Sequence, residues 1–561
     1  MGIQYPIQNA VDGRLTSSWD LWPEVYQRQV AYFELQPISD NLTESNLVLQ
    51  LTSAGATLGC FRLSVTSESE SFDRVVLRTE LSDSEILDVS VALAQTRAAL
   101  GHMDEAVASF ADALNHASDR TGKTRIIATA AALAVGGPEV TTLPLDEAAK
   151  AKLRRQVLDW LKAELAICAK AIESTPPEDR LNQERLNVVV ALSYWQQDSG
   201  LASIRDKSTL AKLPADEQQA FTDLWAAAAE LVTKADGGFR SLSAAKQVEE
   251  VRKELKKRNP AFDGVFTHTI ELGVVTELSI TGKNVRDISP VRALTGLKIL
   301  GCTKCPLSDI SPLQGMQLSV LDLTGTQVRD LEPLKYMPLT FLNLMSTPVR
   351  DLTPLQGMPL TDLSLWGCNQ VDEIAPLKGM KLTRLNLYTC AVNDLSPLQG
   401  MPLTYLYLAG CGRVQDVNPL AGMPLTDLNL DNTQIPDLKP LAGMPLVQLS
   451  IWRCVKVRDL EPLKGMALNF LALPECNQVK DLSPLKGMPL KRLEIVDTAV
   501  TDLRPLQGMS LESIRLSPKK ITEHMEVLRE MKSLKAVSTD RADDGIPATQ
   551  FWTRYDKGEF K

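Results

Sequence analysis

The C-terminal half of the chain carries a pattern of leucines that recurs at short, regular intervals. A representative repeat reads Leu-Thr-Arg-Leu-Asn-Leu-Tyr-Thr-Cys over 382–390, and it continues to the tetrad Asp-Leu-Ser-Pro at 394–397. Leu385 and Leu387 alternate with polar or aromatic residues, which predicts a short strand with one face inward. Ser396 and Pro397 predict an N-cap and the start of a helical turn, and Gly400 predicts its end. One such repeat cannot bury its own leucines, so neighbouring repeats must stack.

The tetrad Asp-apolar-x-Pro shows how far the repeats extend. Its prolines are always 21 or 22 residues apart, and eleven copies occur when a Glu variant at 373–376 is included. The ten Asp tetrads lie at 287–290, 309–312, 330–333, 351–354, 394–397, 416–419, 437–440, 459–462, 481–484 and 502–505. With a final strand after the last tetrad, the pattern predicts a parallel sheet of about 12 strands.

The repeat unit resembles the short bacterial leucine-rich repeats of internalin type, which also carry D-I-x-P-L after the strand. The resemblance covers roughly residues 265–516. Many repeats here are one residue shorter than those of that family, and Met follows the Gly where that family usually has Leu. The resemblance implies a leucine-rich-repeat solenoid, and we expect it to occupy 259–516.

Candidate binding residues follow from the alternation of the strands. Positions that flank the inward leucines point away from the core, and we call the side of the sheet that they form the concave face. Aromatic, acidic and arginine residues recur there, and Trp, Tyr and Arg dominate many protein interfaces. Strand propensity and packing between strands are the alternative explanation. The predicted partner-binding residues are Phe341, Asp362, Trp366, Arg384, Asn386, Tyr388, Tyr405, Tyr407, Asp427, Asp431, Trp452, Phe470 and Arg492.

Two further ladders run through the repeats, and we interpret both as structural. The ninth position of the repeat is cysteine or threonine in ten repeats, whereas zinc needs ligands that converge on one point. We therefore expect small groups bonded to backbone, and no metal. The residues are Cys305, Thr326, Thr347, Cys368, Cys390, Cys411, Thr433, Cys454, Cys476 and Thr498. Ten methionines at another shared position are predicted to be buried filler.

Residues 79–258 are predicted to be helical. Ala94, Gly101, Ala106, Phe110 and Ala113 give this stretch a resemblance to one tetratricopeptide repeat, and further helices are expected at about 120–134, 145–173, 183–197 and 215–236. The segments 157–165 and 194–213 resemble the region that follows tetratricopeptide arrays in large modular bacterial Ser/Thr protein kinases. That resemblance implies a bacterial protein linked to kinase signalling.

The two ends of the chain have different characters. Residues 1–78 are predicted to be β-rich, and 10–19 and 58–66 resemble strands of discoidin-like (galactose-binding-like) β-sandwiches, so we expect a short sandwich fragment. Residues 517–561 are predicted to form a capping helix, over 521–537, and a tail. The aromatic tail at 551–560 either packs back on the cap or docks a partner.

Composition and charge narrow the classes of function. The net charge is −9 without a long basic stripe, which argues against nucleic acid. No signal peptide or membrane span is predicted. The cysteines number nine and mostly follow the repeat, which favours a reducing, cytoplasmic compartment. Kinase motifs, a P-loop and patterned catalytic histidines are missing from the sequence.

These observations predict a multidomain α+β protein that is not an enzyme and needs no cofactor. The expected function is that of a scaffold that binds a protein partner on the concave face, in signalling beside a kinase. We expect a monomer that interacts with neither membrane nor nucleic acid. The alternative is a carbohydrate-binding protein, because aromatic rings with Asp and Asn can also stack on and bond to sugars.

Overall fold

A computed structural model shows the chain as two compact units, 1–242 and 243–561. The described residues are 45–49, 52–53, 56–57, 61–65, 75–77, 91, 94, 103–117, 120–135, 146–176, 181–198, 200–282, 284–539 and 545–560. Each unit is described separately below.

The described strands near the N-terminus form an antiparallel sheet and a small hairpin. They are β1 (Ser45–Leu49), β2 (Thr52–Ser53), β3 (Ala56–Thr57), β4 (Phe61–Val65) and β5 (Val75–Leu77). Among the described residues the sheet has three strands in the order β1-β4-β5, and β2 pairs with β3. The strand predicted at 58–66 contains β4. The predicted strand at 10–19 lies outside the described residues, as do the other residues of 1–78 that these strands do not include.

The helices that follow lie close to their predicted positions. They are α1 (Met103–His116), α2 (Arg120–Val135), α3 (Glu147–Glu173), α4 (Gln183–Gln197), α5 (Ala202–Arg205), α6 (Lys207–Leu210) and α7 (Ala215–Asp236). The prediction of an N-terminal helical region is confirmed. No helix in the described part of the chain combines the length and apolar character required to cross a membrane.

Buried arginines and aromatic rings connect these helices. Phe110 is fully buried, and its ring centroid lies 6.3 Å from that of Trp160. Arg154 on α3 is buried and donates from Nε to Glu217 on α7 at 2.5 Å. Arg185 on α4 donates to the backbone oxygen of Lys234 at 2.7 Å, at the end of α7. Buried charges of this kind persist only where they are paired or hydrogen-bonded, so they fix how α3, α4 and α7 pack.

The second unit begins with α8 (Ala244–Arg258) and continues into one long sheet. Its strands are β6 (Thr267–Glu271), β7 (Val274–Thr281), β8 (Ile299–Thr303), β9 (Val320–Asp322), β10 (Phe341–Asn343), β11 (Asp362–Ser364), β12 (Arg384–Asn386), β13 (Tyr405–Tyr407), β14 (Asp427–Asn429), β15 (Gln448–Ser450), β16 (Phe470–Ala472), β17 (Arg492–Glu494), β18 (Ser513–Arg515), β19 (Ala536–Ser538) and β20 (Ile546–Pro547). Two helices, α9 (Glu526–Glu530) and α10 (Ala548–Asp556), complete the unit.

The sheet is longer than the 12 strands that the leucine pattern predicts. Within the described residues it has 15 strands that are neighbours in chain order. The strands from β7 to β19 are parallel, while β6 and β20 pair antiparallel at the two ends. These additional strands have no tetrad to mark them. They extend the sheet at both ends, so the strands of the first and last repeats are paired on both sides.

The predicted capping helix at 521–537 is wrong in extent. Only Glu526–Glu530 is α-helical, and Ala536–Ser538 is a strand that pairs parallel with β18. The segment is a further repeat without a tetrad. Its apolar residues are three or four positions apart. That spacing is compatible with an amphipathic helix and with a repeat, so it did not distinguish between these structures. The tail packs back as one alternative predicted, with Phe551 fully buried and its ring 5.1 Å from that of Phe560.

The core of the solenoid consists of leucine rows that run from repeat to repeat. Leu363, Leu385 and Leu406 are the middle residues of successive strands, are fully buried and pair in register. The methionines of the repeats are also buried, as Met401 illustrates at 3% exposure. Backbone hydrogen bonds continue past the strands, since Thr389 N–H donates to Ala409 at 2.8 Å. Stacking thus buries the leucines and pairs the backbone together.

The conserved spacing of the tetrad has its cause in an aspartate turn. In all ten Asp tetrads, a carboxylate oxygen accepts the backbone N–H two residues later at 2.8–2.9 Å. In the example repeat, Asp394 accepts from Ser396, which is the first residue of a 3₁₀ turn, Ser396–Leu398. The prediction that Ser396 caps this turn is therefore wrong, because the aspartate side chain performs that role. Gly400 follows with φ of 73°, a conformation that favours glycine.

The side chains of the cysteine and threonine ladder donate hydrogen bonds to the backbone, as expected. The two residue types donate to different carbonyl groups. Thr347 and Thr433 donate to the carbonyl three residues earlier in their own repeat, at 2.7 and 2.6 Å. Cys390 and Cys454 donate to a carbonyl of the preceding repeat, at 3.2 and 3.1 Å. The cysteine thiol, whose hydrogen bonds are longer, thus connects two repeats, whereas the threonine hydroxyl bonds within its own repeat. Burial raises the pKa of the Cys454 thiol to about 11 and that of Cys411 to about 12.

We predict that Asp394→Ala lowers the stability of the solenoid by about 1 kcal/mol, the usual cost of losing a side-chain cap. Asp394→Asn keeps an oxygen acceptor and should lose only a small part of that stability. The midpoint of urea unfolding, followed by circular dichroism, measures both. Equal losses in the two variants would contradict the role given to the carboxylate oxygen.

We predict that Cys454 makes the fold sensitive to alkali. Its pKa is raised from 9.0 to about 11 by burial, so the neutral thiol stabilises the folded state below pH 9. That contribution falls by about 1.4 kcal/mol for each pH unit between the two pKa values. Threonine occupies the same position in other repeats, so Cys454→Thr is the test variant. Between pH 8 and pH 10.5, the urea midpoint of this variant should fall less than the midpoint of wild type. An identical pH dependence would refute the prediction.

Candidate partner-binding face

The predicted site residues lie on the exposed side of the parallel sheet. Three rows of outward side chains cross the strands there. The first row holds the first residue of each strand, the second row holds the third residue, and the third row holds the residue two positions after the strand. The first row contains Phe341, Asp362, Arg384, Tyr405, Asp427, Phe470 and Arg492. Asn386 and Tyr407 belong to the second row, and Trp366, Tyr388, Asp431 and Trp452 belong to the third. The buried leucines between the rows force these side chains outward, because a strand alternates its faces.

Arg384 connects three neighbouring strands of the first row. Its Nε lies 3.0 Å from a carboxylate oxygen of Asp362 on β11. Its guanidinium carbon lies 4.2 Å from the ring centroid of Tyr405 on β13. Burial raises the pKa of Asp362, and the Arg384 charge opposes that shift. The cation is thus held between an acid and an aromatic face, each of which restricts its motion.

Two tyrosines extend this network toward β14. The rings of Tyr405 and Tyr407 stack with centroids 4.1 Å apart. The hydroxyl of Tyr405 interacts with that of Tyr407, and Tyr407 interacts with the Asp427 carboxylate. Burial, together with the Asp427 carboxylate, raises the pKa of Tyr407, while the Tyr405 hydroxyl opposes that shift. Burial also raises the pKa of Asp427. Both tyrosines are therefore neutral at physiological pH, and both are half-buried.

The third row presents the most exposed aromatic side chains. Trp366 and Tyr388 keep 45% and 37% of their surface, and Trp452 keeps 40%. Trp366 and Tyr388 lie on adjacent repeats with ring centroids 5.1 Å apart and planes tilted by 57°. Exposed apolar groups that lie side by side often mark an interaction site, whereas single exposed ones are ordinary. The pair therefore forms an open aromatic patch.

Asp431 organises the end of the row near Trp452. It accepts from the Ser450 hydroxyl at 2.6 Å and from the Trp452 backbone N–H at 2.7 Å. Burial raises the pKa of Asp431, while these hydrogen bonds oppose the shift. On the far side of Trp452, its indole N–H donates to Glu475 at 3.0 Å, and Glu475 pairs with Arg453 at 2.9 Å. Asp431 thereby holds the backbone of Trp452, and Glu475 holds its indole ring.

The remaining predicted residues are more separate. Arg492 donates from Nε to Glu494 at 2.9 Å and lies 5.2 Å from the ring centroid of Phe470. Asn386 accepts the backbone N–H of Tyr388 at 3.0 Å, so its side chain supports the turn. Phe341 is half-buried at the start of the face. The structure thus brings together the residues of β11–β15 and leaves Phe341 at the margin.

Ser450, Arg453, Glu475 and Glu494 are not among the predicted partner-binding residues, although the sequence places Arg453 among the charges that interleave with the concave rings. Ser450 and Glu494 occupy the second row and were visible as outward positions. Arg453 and Glu475 follow the third row with φ of 58° and 59°. These left-handed positions recur once per repeat, and the same turn position holds Ser346 and Asn432, also with positive φ. That recurring turn position is the signal in the sequence that points to Glu475.

Comparison with solved structures finds internalins of Listeria monocytogenes, the proteins whose repeats this chain resembles. The internalin InlF is 21% identical with a TM-score of 0.43, and the match covers 54% of this chain and 99% of that one. The functional domain of InlJ, whose description notes a cysteine ladder, is 18% identical with a TM-score of 0.30 over 48% of this chain and 68% of that one. Family models and curated proteins yielded no match. The leucine-rich-repeat fold itself rests on the strands and turns described above.

We predict that Asp431→Ala destabilises the protein by about 1–3 kcal/mol, because the Trp452 N–H and the Ser450 hydroxyl lose a charged acceptor. Asp431→Asn retains an oxygen in the same place and should cost clearly less. Chemical denaturation of both variants gives the comparison. If the alanine variant unfolds at the wild-type midpoint, Asp431 does not organise this part of the face.

Proposed function

We propose that the protein is an interaction scaffold that binds a protein partner on the concave face of its leucine-rich repeats. The observation that supports this most is the exposed aromatic row Trp366, Tyr388 and Trp452 beside arginines already fixed by acids. Rings and guanidinium groups held in place lose little freedom on binding, which favours them as anchors. Thirteen parallel strands in the described residues at ~4.8 Å spacing give a face of about 60 Å, which suits a protein or an extended peptide.

The wider organisation is also a proposal. We divide the chain into a β-sandwich fragment (1–78), a tetratricopeptide-like helical region (79–258), the repeat solenoid (259–516) and a C-terminal end (517–561). Of these, α8 belongs to the same compact unit as the solenoid, and the C-terminal end includes a further repeat. The helical region would dock a second protein, in signalling linked to a kinase. A monomer in the cytoplasm fits the buried thiols of the repeats, which are free in the described part of the chain.

A carbohydrate ligand is the second candidate, and one feature favours it. Tyr405 and Tyr407 stack in front of the Asp427 carboxylate, which offers ring faces and a hydrogen-bond acceptor side by side. Sugars use both kinds of group. The tyrosine ring faces are largely taken up by each other and by Arg384, however, so the open patch at Trp366 and Tyr388 favours protein.

Affinity purification tests the first proposal. We expect the full chain to recover partners that the variant Trp366→Ala/Tyr388→Ala/Tyr407→Ala/Trp452→Ala loses, because the variant removes the exposed rings and leaves the buried leucines intact. A matched control, Val265→Ala/Leu272→Ala, removes exposed apolar side chains elsewhere in the same unit and should recover the wild-type set.

Circular dichroism confirms that each variant is folded before the comparison. Identical partner sets from wild type and the four-ring variant would show that the concave face is not the binding surface. A glycan array with wild type decides the second candidate, since binding there that disappears with Tyr405→Ala/Tyr407→Ala would favour carbohydrate over protein.

A further inference from the structure

The charged residues of the concave face are unbalanced. From β9 to β16 its outward positions carry four carboxylates, on Asp322, Asp362, Asp427 and Asp431, and one guanidinium, on Arg384. Arg384 neutralises Asp362 directly. Within the described residues, neither Asp427 nor Asp431 lies within ion-pairing distance of a lysine or arginine nitrogen, although both are half-buried and have raised pKa values. A cation from outside the chain would compensate both.

The aromatic residues of the face show a complementary difference. Tyr405, Trp452 and Phe470 each have an arginine of this chain over or beside the ring, with centroid distances of 4.2, 5.9 and 5.2 Å. Among the described residues, no such cation lies over Trp366 or Tyr388, the pair with the open, tilted faces. In the repeats of β13 to β16, each outward-facing ring except that of Tyr407 thus has an arginine of this chain beside it. Tyr407 stacks on Tyr405 instead. The Trp366 and Tyr388 side chains, in contrast, are exposed to a cation from solvent or from a partner.

We propose that the concave face recognises an extended, basic segment of a partner protein, with one cationic side chain over the Trp366–Tyr388 pair and a second at the carboxylates of Asp427 and Asp431. This rests on the proposed function and specifies its ligand. Arginine or lysine supplies both charges, and an aromatic ring attracts such cations through its face. Asp427 and Asp431 give the orientation, because both lie on the β14 side of the aromatic pair.

The strand spacing sets the separation of the two charges. The ring pair lies on the repeats of β11 and β12, and Asp431 follows β14, so about 12 Å separates them at ~4.8 Å for each strand. An extended peptide advances about 3.3 Å per residue and alternates its side chains. Two cationic residues four positions apart therefore point to the same side at about 13 Å. The ligand runs across the strands of the sheet.

The test uses the full chain and a fluorescein-labelled peptide, Gly-Arg-Gly-Ser-Gly-Arg-Gly, whose arginines are four positions apart. Fluorescence anisotropy at about 0.05 M salt measures binding. We expect the same peptide with citrulline, the neutral isostere, to bind at least tenfold more weakly. A peptide with two adjacent arginines should also bind several-fold more weakly, although it has the same charge.

Two concave-face variants locate the binding. Asp427→Asn/Asp431→Asn keeps the oxygen acceptors that support the fold, and Trp366→Ala/Tyr388→Ala removes the ring pair. Each should weaken binding of the arginine peptide at least tenfold. The matched control, Asp372→Asn/Glu461→Gln, removes two carboxylates outside the face, where they pair with Arg350 and Lys464, and should leave the affinity unchanged.

The outcomes are distinguishable from those for the proposed function. The proposal is overturned if the arginine peptide does not bind, if its citrulline analogue binds equally well, or if both concave-face variants retain wild-type affinity. If one of these results occurs while the four-ring variant still loses its partners in affinity purification, the concave face binds protein. The proposal that it prefers cationic side chains is then wrong. Loss of affinity in the control variant as well would indicate unspecific charge attraction and would also overturn it.

Discussion

Each repeat of the solenoid presents leucines that only the neighbouring repeats can cover, and the rest of this unit depends on that constraint. Burial of Leu363, Leu385 and Leu406 in one row requires the strands to lie in register. Register in turn aligns the aspartate turns, the buried methionines and the cysteine and threonine ladder. The backbone pairs along the same direction, so apolar burial and hydrogen bonding act cooperatively between repeats.

The same register determines what the exposed face can do. Because each strand offers one residue to each row, chemically different side chains come next to one another across repeats rather than along the chain. Asp362, Arg384 and Tyr405 are about 20 residues apart in sequence and form one network. Most polar groups on the face already have partners within the chain. The groups that retain capacity for a ligand are the exposed rings of Trp366 and Tyr388 and the carboxylates on β14.

The two ends show how a repeat array is closed. At the entrance, Asn259 after α8 accepts the backbone N–H of Arg286 at 2.8 Å and donates to Asp287, so the helix satisfies backbone groups of the first turn. At the exit, β19 and β20 extend the sheet and Phe551 fills the last core position. These ends have no repeat motif because each makes its contacts once, with a different neighbour on either side.

The sequence alone determined the repeat, its inward and outward positions, the helical region and the structural character of the ladders. These depend on local alternation and on a spacing repeated eleven times in the tetrads, and both are visible in a linear pattern. Only the tertiary structure decided that the segment at 521–537 is a further repeat and that Asp394, rather than Ser396, caps the turn of its repeat. It also decided which outward residues pair with one another. Those outcomes depend on what the adjacent repeat places within a few ångströms of each side chain, and a spacing of three or four residues does not contain that information.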